Sequence, residues 1–306
     1  MTRLRLILVF FIALLAGGYA DAQTPLVPAT APVACTALPA AFKAAHAGAA
    51  FVVTGTCTAV VELRDRIFAP PVTIDARGAV FQGGLLIFKA GGVHVTGGQY
   101  GPQDRGGTGF EAYLATDVTL IAARVTGMDF GVAFAQAQNV AVTGSRIDPV
   151  RNDGIRFFSV QHGLASGNYV LEAHPATSLD HPDCLQIASD GGATNPALIS
   201  ADIVVTGNEC YGDGQGFSAF KSGSDDGGYD RLTLTSNRAR MSYPLGMAIY
   251  GCRDCTIRDN DINALPLAAK TVQANVIDPV GGTICGNRTP RPTDATAAAC
   301  AAPVRP

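Results

Sequence analysis

The chain contains no tryptophan and little charge, since 15% of its 306 residues are Asp, Glu, Lys or Arg. So few charges argue against surface-exposed helices, while the 35 glycines favour strands joined by tight turns. The net charge of −3 lacks the basic excess of nucleic-acid-binding proteins, so we expect no nucleic-acid partner. Without Trp, an aromatic sugar-binding surface would depend on tyrosines, namely Tyr113, Tyr211, Tyr229, Tyr243 or Tyr250.

Long apolar runs are missing beyond the first residues of the chain. Two arginines precede an apolar run at 6–15, and Ala20 and Ala22 supply the small residues of a cleavage site. The run is about half of the ~20 residues that a membrane-spanning helix needs. We therefore predict a signal peptide over 1–22, a secreted or periplasmic location, and no membrane span in the mature chain.

The eight cysteines are an even number, which in an exported chain indicates disulfides. Sequence alone leaves their connectivity open. Pairing of sequence neighbours suggests four bridges, Cys35–Cys57, Cys184–Cys210, Cys252–Cys255 and Cys285–Cys300.

A short pattern recurs along the chain: apolar, any residue, apolar, polar or small, small, then Asn or a small residue. Most copies start 21 to 29 residues apart, at 72–77, 93–98, 118–123, 140–145, 163–168, 203–208, 232–237, 255–260 and 282–287. That spacing is typical of solenoids, and the alternating apolar residues indicate strands. The repeated Asn residues are expected to stack in a bend whose left-handed conformation Asn tolerates.

A second strand precedes each copy, so each repeat reads as strand, bend, strand, turn. This predicts an all-β fold, a single-stranded right-handed parallel β-helix, over residues 58–290. Residues 23–57 form an N-terminal segment with a capping helix near Pro39, and residues 291–306 form a C-terminal strap or tail. We expect a monomer.

The largest departure from the repeat is the insertion between Asn168 and Asn208, which contains His174, Asp180 and His181. Insertions in a solenoid form loops, often on its binding face. Aligning the glycines of successive coils places Asp153 beside Asp183, with Gln215 next. The outward column of the same strands then reads Glu111, Ala133, Arg156, Gln186, Ser218 and Ala248, and alternation predicts that it faces solvent.

These columns define a candidate site on one face of the β-helix. Candidate catalytic residues are His181, Asp183, Asp153, Lys221 and Arg156. Candidate substrate-binding residues are Glu111, Gln186, Gln215, Ser218 and Tyr250. The cations could neutralise a sugar carboxylate, His181 could move a proton, and the Asp pair could do acid–base chemistry. A calcium ion is a further option, at Asp153, Asp183 and Asp180; no cofactor is required by the pattern.

The order of four short motifs resembles that of polygalacturonases, within the pectate lyase-like superfamily of carbohydrate-active β-helices. The motifs are Arg151-Asn-Asp153-Gly, Pro182-Asp183-Cys, Gly214-Gln215-Gly and Gly246-Met-Ala-Ile-Tyr250. The resemblance implies the fold, a polysaccharide substrate and catalytic roles for Asp153 and Asp183. Pro182, Gln215, Ala248 and Tyr250 depart from the residues of those motifs.

Four functions remain open on these residues. The leading one is a lyase that cleaves a uronic-acid-containing polysaccharide by β-elimination, with a cation on the uronate and His181, Lys221 or Tyr250 as the base. The alternatives are a glycoside hydrolase using the Asp pair, a uronate C5-epimerase, and a non-catalytic polysaccharide-binding or surface protein. All four predict an acidic polysaccharide or oligosaccharide as the partner.

Overall fold

The structure, a computed structural model, describes residues 32–102, 106–172, 182–192, 194–220, 227–266, 268, 271–292 and 300. Within these residues the chain is an all-β parallel solenoid of about 10 turns, with one short α-helix near its start. The predicted parallel β-helix is therefore confirmed. None of the described helices is long and apolar enough to cross a membrane.

The strands that precede each repeat form one parallel sheet, which we call the ten-strand sheet. Their inward residues, such as Ile155, Leu185 and Phe217, are 0–1% exposed. The strands are Val61–Arg64, Leu85–Phe88, Thr108–Tyr113, Phe130–Ala135, Ile155–Phe158, Asp183–Ala188, Gln215–Ala219, Leu245–Tyr250, Gln273–Ile277 and Arg291–Pro292.

The repeat strands form a second parallel sheet, the twenty-strand sheet. Its strand Ala50–Cys57 pairs with Ile67–Phe81, so coil stacking begins before residue 58. The strands are Val33–Ala34, Ala50–Cys57, Ile67–Phe81, Gly91–Thr96, Gln99–Tyr100, Thr116–Ile121, Arg124–Val125, Gln138–Thr143, Arg146–Val150, Gln161–Ser166, Tyr169–Glu172, Ser200–Thr206, Glu209–Gly212, Tyr229–Asp230, Thr233–Thr235, Arg238–Met241, Cys252–Arg253, Thr256–Arg258, Asp261–Ala264 and Thr283–Cys285.

The α-helix spans Leu38–Ala44 and follows a 3₁₀ turn at Cys35–Ala37; a second 3₁₀ turn spans Pro196–Leu198. Pro39 lies in the first turn of the helix, where its missing N–H removes no helical hydrogen bond. Phe42 is 1% exposed and packs edge-on against Phe68, with ring centroids 5.1 Å apart. The helix therefore joins the hydrophobic core at the first coils, as a capping helix should.

The repeated asparagines stack as predicted. The side-chain oxygen of each accepts the backbone N–H of its neighbour one coil earlier, for example Asn208 N–H to Asn237 Oδ1 at 3.0 Å. The left-handed conformation, however, falls on the residue before each Asn and not on Asn itself. Gly167, Gly207, Ser236, Asp259 and Gly286 have φ between 57° and 65°. The Asn side chain is thereby free to bridge the coils from inside the bend.

All four disulfides join the cysteines that neighbour pairing suggested, so those predictions are confirmed. Cys184–Cys210 connects the strand Asp183–Ala188 of the ten-strand sheet with the strand Glu209–Gly212 of the twenty-strand sheet. Because Cys184 follows Asp183 directly, this bond fixes the backbone beside a candidate catalytic residue.

Candidate functional site

Asp153 and Asp183 lie on consecutive coils, at the point where the chain enters the ten-strand sheet. The backbone N–H of Asp183 donates to Asp153 Oδ1 at 2.8 Å, and Gln215 is the register partner of Asp183 on the next coil. Gly154 makes this stacking possible, because a Cβ there would lie 2.3 Å from Val170 Cγ1 and 2.6 Å from the Cys184 carbonyl oxygen. The predicted alignment of these three coils is confirmed.

The predicted outward column is also present, in unbroken register along the ten-strand sheet. It runs through Glu111, Ala133, Arg156, Gln186, Ser218 and Ala248. The expectation that the whole column faces solvent is wrong, because Ser218 and Ala248 are each 1% exposed. Glu111, Arg156 and Gln186 are half-buried. The column thus passes from a partly exposed stretch into a covered one at the coil after Asp183.

Asp183 is completely buried, with 0% of its surface exposed. Its Oδ2 accepts a 2.6 Å hydrogen bond from Gln186 Nε2. Burial, and then the neighbouring Asp153 carboxylate, raise the pKa of Asp183 to about 8, although Ser218, Gln186 and Arg156 oppose the rise. A carboxyl group in this environment keeps its proton at neutral pH. Asp183 is therefore suited to donate a proton.

Arg156 forms an ion pair with Asp153, the other carboxylate of the pair. Its Nε lies 3.1 Å from Asp153 Oδ2, as an ion pair and not as an aligned hydrogen bond. Its guanidinium carbon lies 4.4 Å from the ring centre of Phe130 and 4.0 Å from that of Phe158. Two aromatic faces thus orient the cation, and arginine stays charged at any physiological pH. Asp153 is in this way supplied with a fixed counter-charge.

The charge of Arg156 is shared among several acids. Burial lowers the pKa of Arg156, and Asp153, Asp183 and Glu111 raise it. Burial also raises the pKa of Glu111, against the influence of Arg156. Within the described residues, Asp153, Asp183 and Glu111 therefore balance part of the Arg156 charge before any ligand binds.

Polar atoms without an aligned hydrogen-bond partner gather on the coils of Asp183 and Gln215. Among the described residues, Asp183 Oδ1, Gln215 Oε1 and Ser218 Oγ are buried and have no such partner. Leaving buried polar atoms unsatisfied costs free energy, and such atoms recur where a ligand or a reaction uses them. These three atoms form a buried polar group beside the Asp pair.

Tyr250 lies at the end of the strand Leu245–Tyr250, two coils beyond Asp183. It is half-buried, and its ring packs edge-on against Phe220, with centroids 5.3 Å apart. The sequence analysis placed it among the substrate-binding residues and, alternatively, as a base. Tyr250 follows Ala248 by two residues on the same strand, so it lies beside the outward column and away from Asp153 and Asp183.

Three predicted residues, His181, Lys221 and Asp180, lie outside the described residues. Their roles therefore stay predictions. Within the described part, no group of three or more His, Cys, Asp or Glu side chains is arranged to hold a metal ion. The predicted calcium site at Asp153, Asp183 and Asp180 stays a prediction, because Asp180 lies outside the described residues.

Sequence reasoning missed Glu172, the last residue of the strand Tyr169–Glu172. It is 2% exposed, and burial, with Asp183 and Asp153 next, holds its pKa well above the usual value. The sequence did contain a signal. Period-two alternation from buried Val170 points position 172 into the core, where a glutamate is unexpected.

No family model matches the chain, and no curated protein matches it at a significant level. Among solved structures, PfbA, a surface adhesin of Streptococcus pneumoniae, is similar at 11% identity, covering 83% of this chain and 81% of that chain, with a TM-score of 0.46. An alginate lyase from Paenibacillus sp. str. FPU-7 is similar at 14% identity, covering 82% and 95%, with a TM-score of 0.28. At such identities and TM-scores, neither likeness bears on the chemistry of the site.

Proposed function

We propose that this chain is an exported enzyme that cleaves a polysaccharide by acid–base catalysis, with Asp183 as the acid and Asp153 as its partner. One observation carries the proposal. Two buried carboxyl groups on consecutive coils have different partners, since Asp153 forms an ion pair with Arg156 whereas burial and the Asp153 charge raise the pKa of Asp183 to about 8. Pairs of titratable groups whose environments differ in this way are typical of acid–base sites.

Hydrolysis of a glycosidic bond fits this division of roles. Asp183 gives its proton to the glycosidic oxygen as the bond to the sugar carbon breaks. Asp153, paired with Arg156, then deprotonates the water whose oxygen bonds to that carbon, or bonds to the carbon itself and is released when water hydrolyses the resulting ester. Glu111 and Gln186, the half-buried residues of the outward column, provide the polar groups near the Asp pair that can bind sugar hydroxyls.

β-Elimination on a uronate is the second candidate, favoured by the partly exposed cation Arg156, whose side chain is 21% exposed. That cation could neutralise the carboxylate of the sugar, with His181, Lys221 or Tyr250 as the base. It ranks second because Asp153, Asp183 and Glu111 already surround Arg156. A C5-epimerase would share the same groups, and a binding protein would need none of them to react.

The compartment and the substrate class are part of the same proposal. Four disulfides in one chain support an oxidising compartment outside the cytosol. An acidic polysaccharide is the proposed substrate, because the outward column carries a cation between aromatic rings beside the acid–base pair. The protein is proposed to act as a monomer.

The test is a product analysis on pectin, alginate, glucuronan and glycosaminoglycans. Hydrolysis gives new reducing ends without ultraviolet-absorbing unsaturated sugars, and elimination gives both. Asp183→Asn is expected to lower either rate by about 10²-fold or more. Asp278→Asn, a matched change in an exposed turn with φ of 50°, is the control and should keep full activity.

Two results would overturn the proposal. One is binding without any product from any of the four polymers, which would identify a binding protein. The other is full activity of Asp183→Asn, which would place the chemistry elsewhere.

A further inference from the structure

Glu172 occupies a position that is apolar or glycine in the neighbouring coils. Its register partners along the twenty-strand sheet are Val150 on one side and Gly212 on the other, and Met241 follows Gly212. The inward direction of the strand is clear from Val170, which is 1% exposed. A carboxyl group has therefore replaced a core side chain at one coil of the solenoid.

The coil is the one that leads to Asp183 along the chain. Among its charged neighbours, Asp183 and Asp153 raise the pKa of Glu172 most, and Asp213 raises it less. The Gly214 backbone N–H acts in the opposite direction and favours the ionised form. Neither Glu172 Oε1 nor Oε2 has an aligned hydrogen-bond partner among the described residues. Glu172 thus adds a third carboxyl group to the buried surroundings of the catalytic pair.

Gly214 shows how closely Glu172 is built into this part of the fold. A Cβ at Gly214 would lie 2.0 Å from Glu172 Oε2 and 2.4 Å from the Pro182 carbonyl oxygen. That same carbonyl accepts the N–H of Gln215 at 2.8 Å, which joins the coil of Asp183 to the next one. Glu172 therefore packs against the junction that holds Asp183 beside Gln215.

A buried acid without compensating hydrogen bonds destabilises the fold. Where a chain keeps such a group, its use in function is the physical reason to expect. On the basis of the proposed function, we propose that Glu172 is a positioning residue: its buried carboxyl group packs against the Pro182–Gly214 junction and provides the polar environment in which Asp183 holds and releases its proton.

The test compares Glu172→Gln with Glu172→Val and does not depend on a substrate. The ionisation of Asp183 is followed by carbon-13 NMR of its side-chain carboxyl, in the full folded chain. Gln is a neutral group of the same shape, so Asp183 should titrate as in the unchanged protein, near pH 8. Val, the residue found one coil earlier at position 150, removes the polar group and should move the midpoint upward by half a pH unit or more.

Glu209→Gln is the control, because Glu209 belongs to the same sheet but its side chain is 47% exposed in a surface ion pair with Arg238. It should leave the titration of Asp183 unchanged. An unchanged midpoint in Glu172→Val would overturn the inference and leave Glu172 a packing residue. A lower midpoint in Glu172→Gln would also overturn it, since Glu172 would then be charged.

The outcome is separable from that of the proposed function. If the Asp183 midpoint responds as stated but no polymer is cleaved, Glu172 positions Asp183 in a site with another role. If polymers are cleaved, Glu172→Val should lower kcat more than it changes KM, and Glu172→Gln should restore the pH profile.

Discussion

Asp183 donates its backbone N–H to the Asp153 side chain at 2.8 Å, so one carboxylate is bound to the backbone that carries the other. This contact ties the two residues together although they are 30 positions apart in the sequence. The protonation of the two residues is coupled, because the charge of Asp153 is, after burial, the second cause of the raised pKa of Asp183.

The activity should depend on pH through Asp183. An acid catalyst is active while protonated, so the rate should fall as pH rises through about 8, the pKa of Asp183. The measurement is kcat/KM between pH 3 and 10 on the polymer that is cleaved, at constant ionic strength. An alkaline limb near pH 4 to 5, the range of an ordinary carboxyl group, would contradict the acid role.

Asp153→Asn should move the titration of Asp183 downward, because the negative charge that raises its pKa is removed. The asparagine oxygen can still accept the Asp183 N–H, so the fold should be retained. We expect activity to fall by about 10²-fold or more while the Asp183 midpoint drops. Carbon-13 NMR measures the Asp183 midpoint, and a cleavage assay measures the activity. A raised Asp183 midpoint would contradict the electrostatic coupling between Asp153 and Asp183.

Arg156→Gln should have the opposite effect on Asp183. Arg156 lowers the pKa of Asp183, so its removal should shift the alkaline limb of the pH profile to higher pH. Arg156→Lys should restore the charge but not the stacking between Phe130 and Phe158, and should therefore recover the pH profile without full activity. Identical profiles for both variants and the parent would show that Arg156 does not act on Asp183.

The asparagine stack should carry measurable stability. Asn208→Ala removes the acceptor of the Asn168 N–H and the donor to the Ala165 carbonyl, both buried. We expect a loss of about 2 to 3 kcal/mol in the free energy of unfolding. Asn287→Ala, at the end of the stack, should cost less, because Asn208 Nδ2 also donates to Asn237 Oδ1 whereas no further Asn of the described stack follows Asn287. Urea unfolding measures both, and equal losses would contradict a cooperative stack.

Glu172→Gln should change stability with a defined pH dependence. The native pKa of Glu172 is raised, so the folded state favours the protonated form and loses stability as pH rises above the unfolded value of about 4.5. The neutral variant avoids this loss. The gain in the free energy of unfolding of Glu172→Gln over the parent should be absent below pH 4 and grow by up to about 1.4 kcal/mol per pH unit above 4.5. An advantage that is constant with pH would contradict a neutral Glu172.

Much of the fold can be predicted from local patterns in the sequence. Alternation of apolar residues and the spacing of the Asn repeats predict the coils, and aligned glycines predict that Asp153, Asp183 and Gln215 are neighbours. Regularity makes this possible, since one register holds from coil to coil. Neighbour pairing succeeds for Cys35–Cys57 and Cys184–Cys210 because their partners are 22 and 26 residues apart, about one coil, and one coil returns the chain close to its starting point.

Burial on the outward face was not predictable from the same patterns. Alternation gives the direction of a side chain but not what covers it, and Ser218 therefore looked exposed. Glu172 was not predicted because it lies inside a regular strand, whereas the polar cluster in the sequence lies in the insertion that follows it. The position of the left-handed residue before each Asn likewise depends on how the Asn side chain reaches across the bend, which residue type alone does not specify.

The most direct measurement is the titration of the Asp183 carboxyl carbon by carbon-13 NMR in the unaltered protein. Asp183 should stay protonated through neutral pH and titrate near pH 8. A midpoint near the ordinary aspartate value of about 4 would contradict the assignment of Asp183 as the acid of this site.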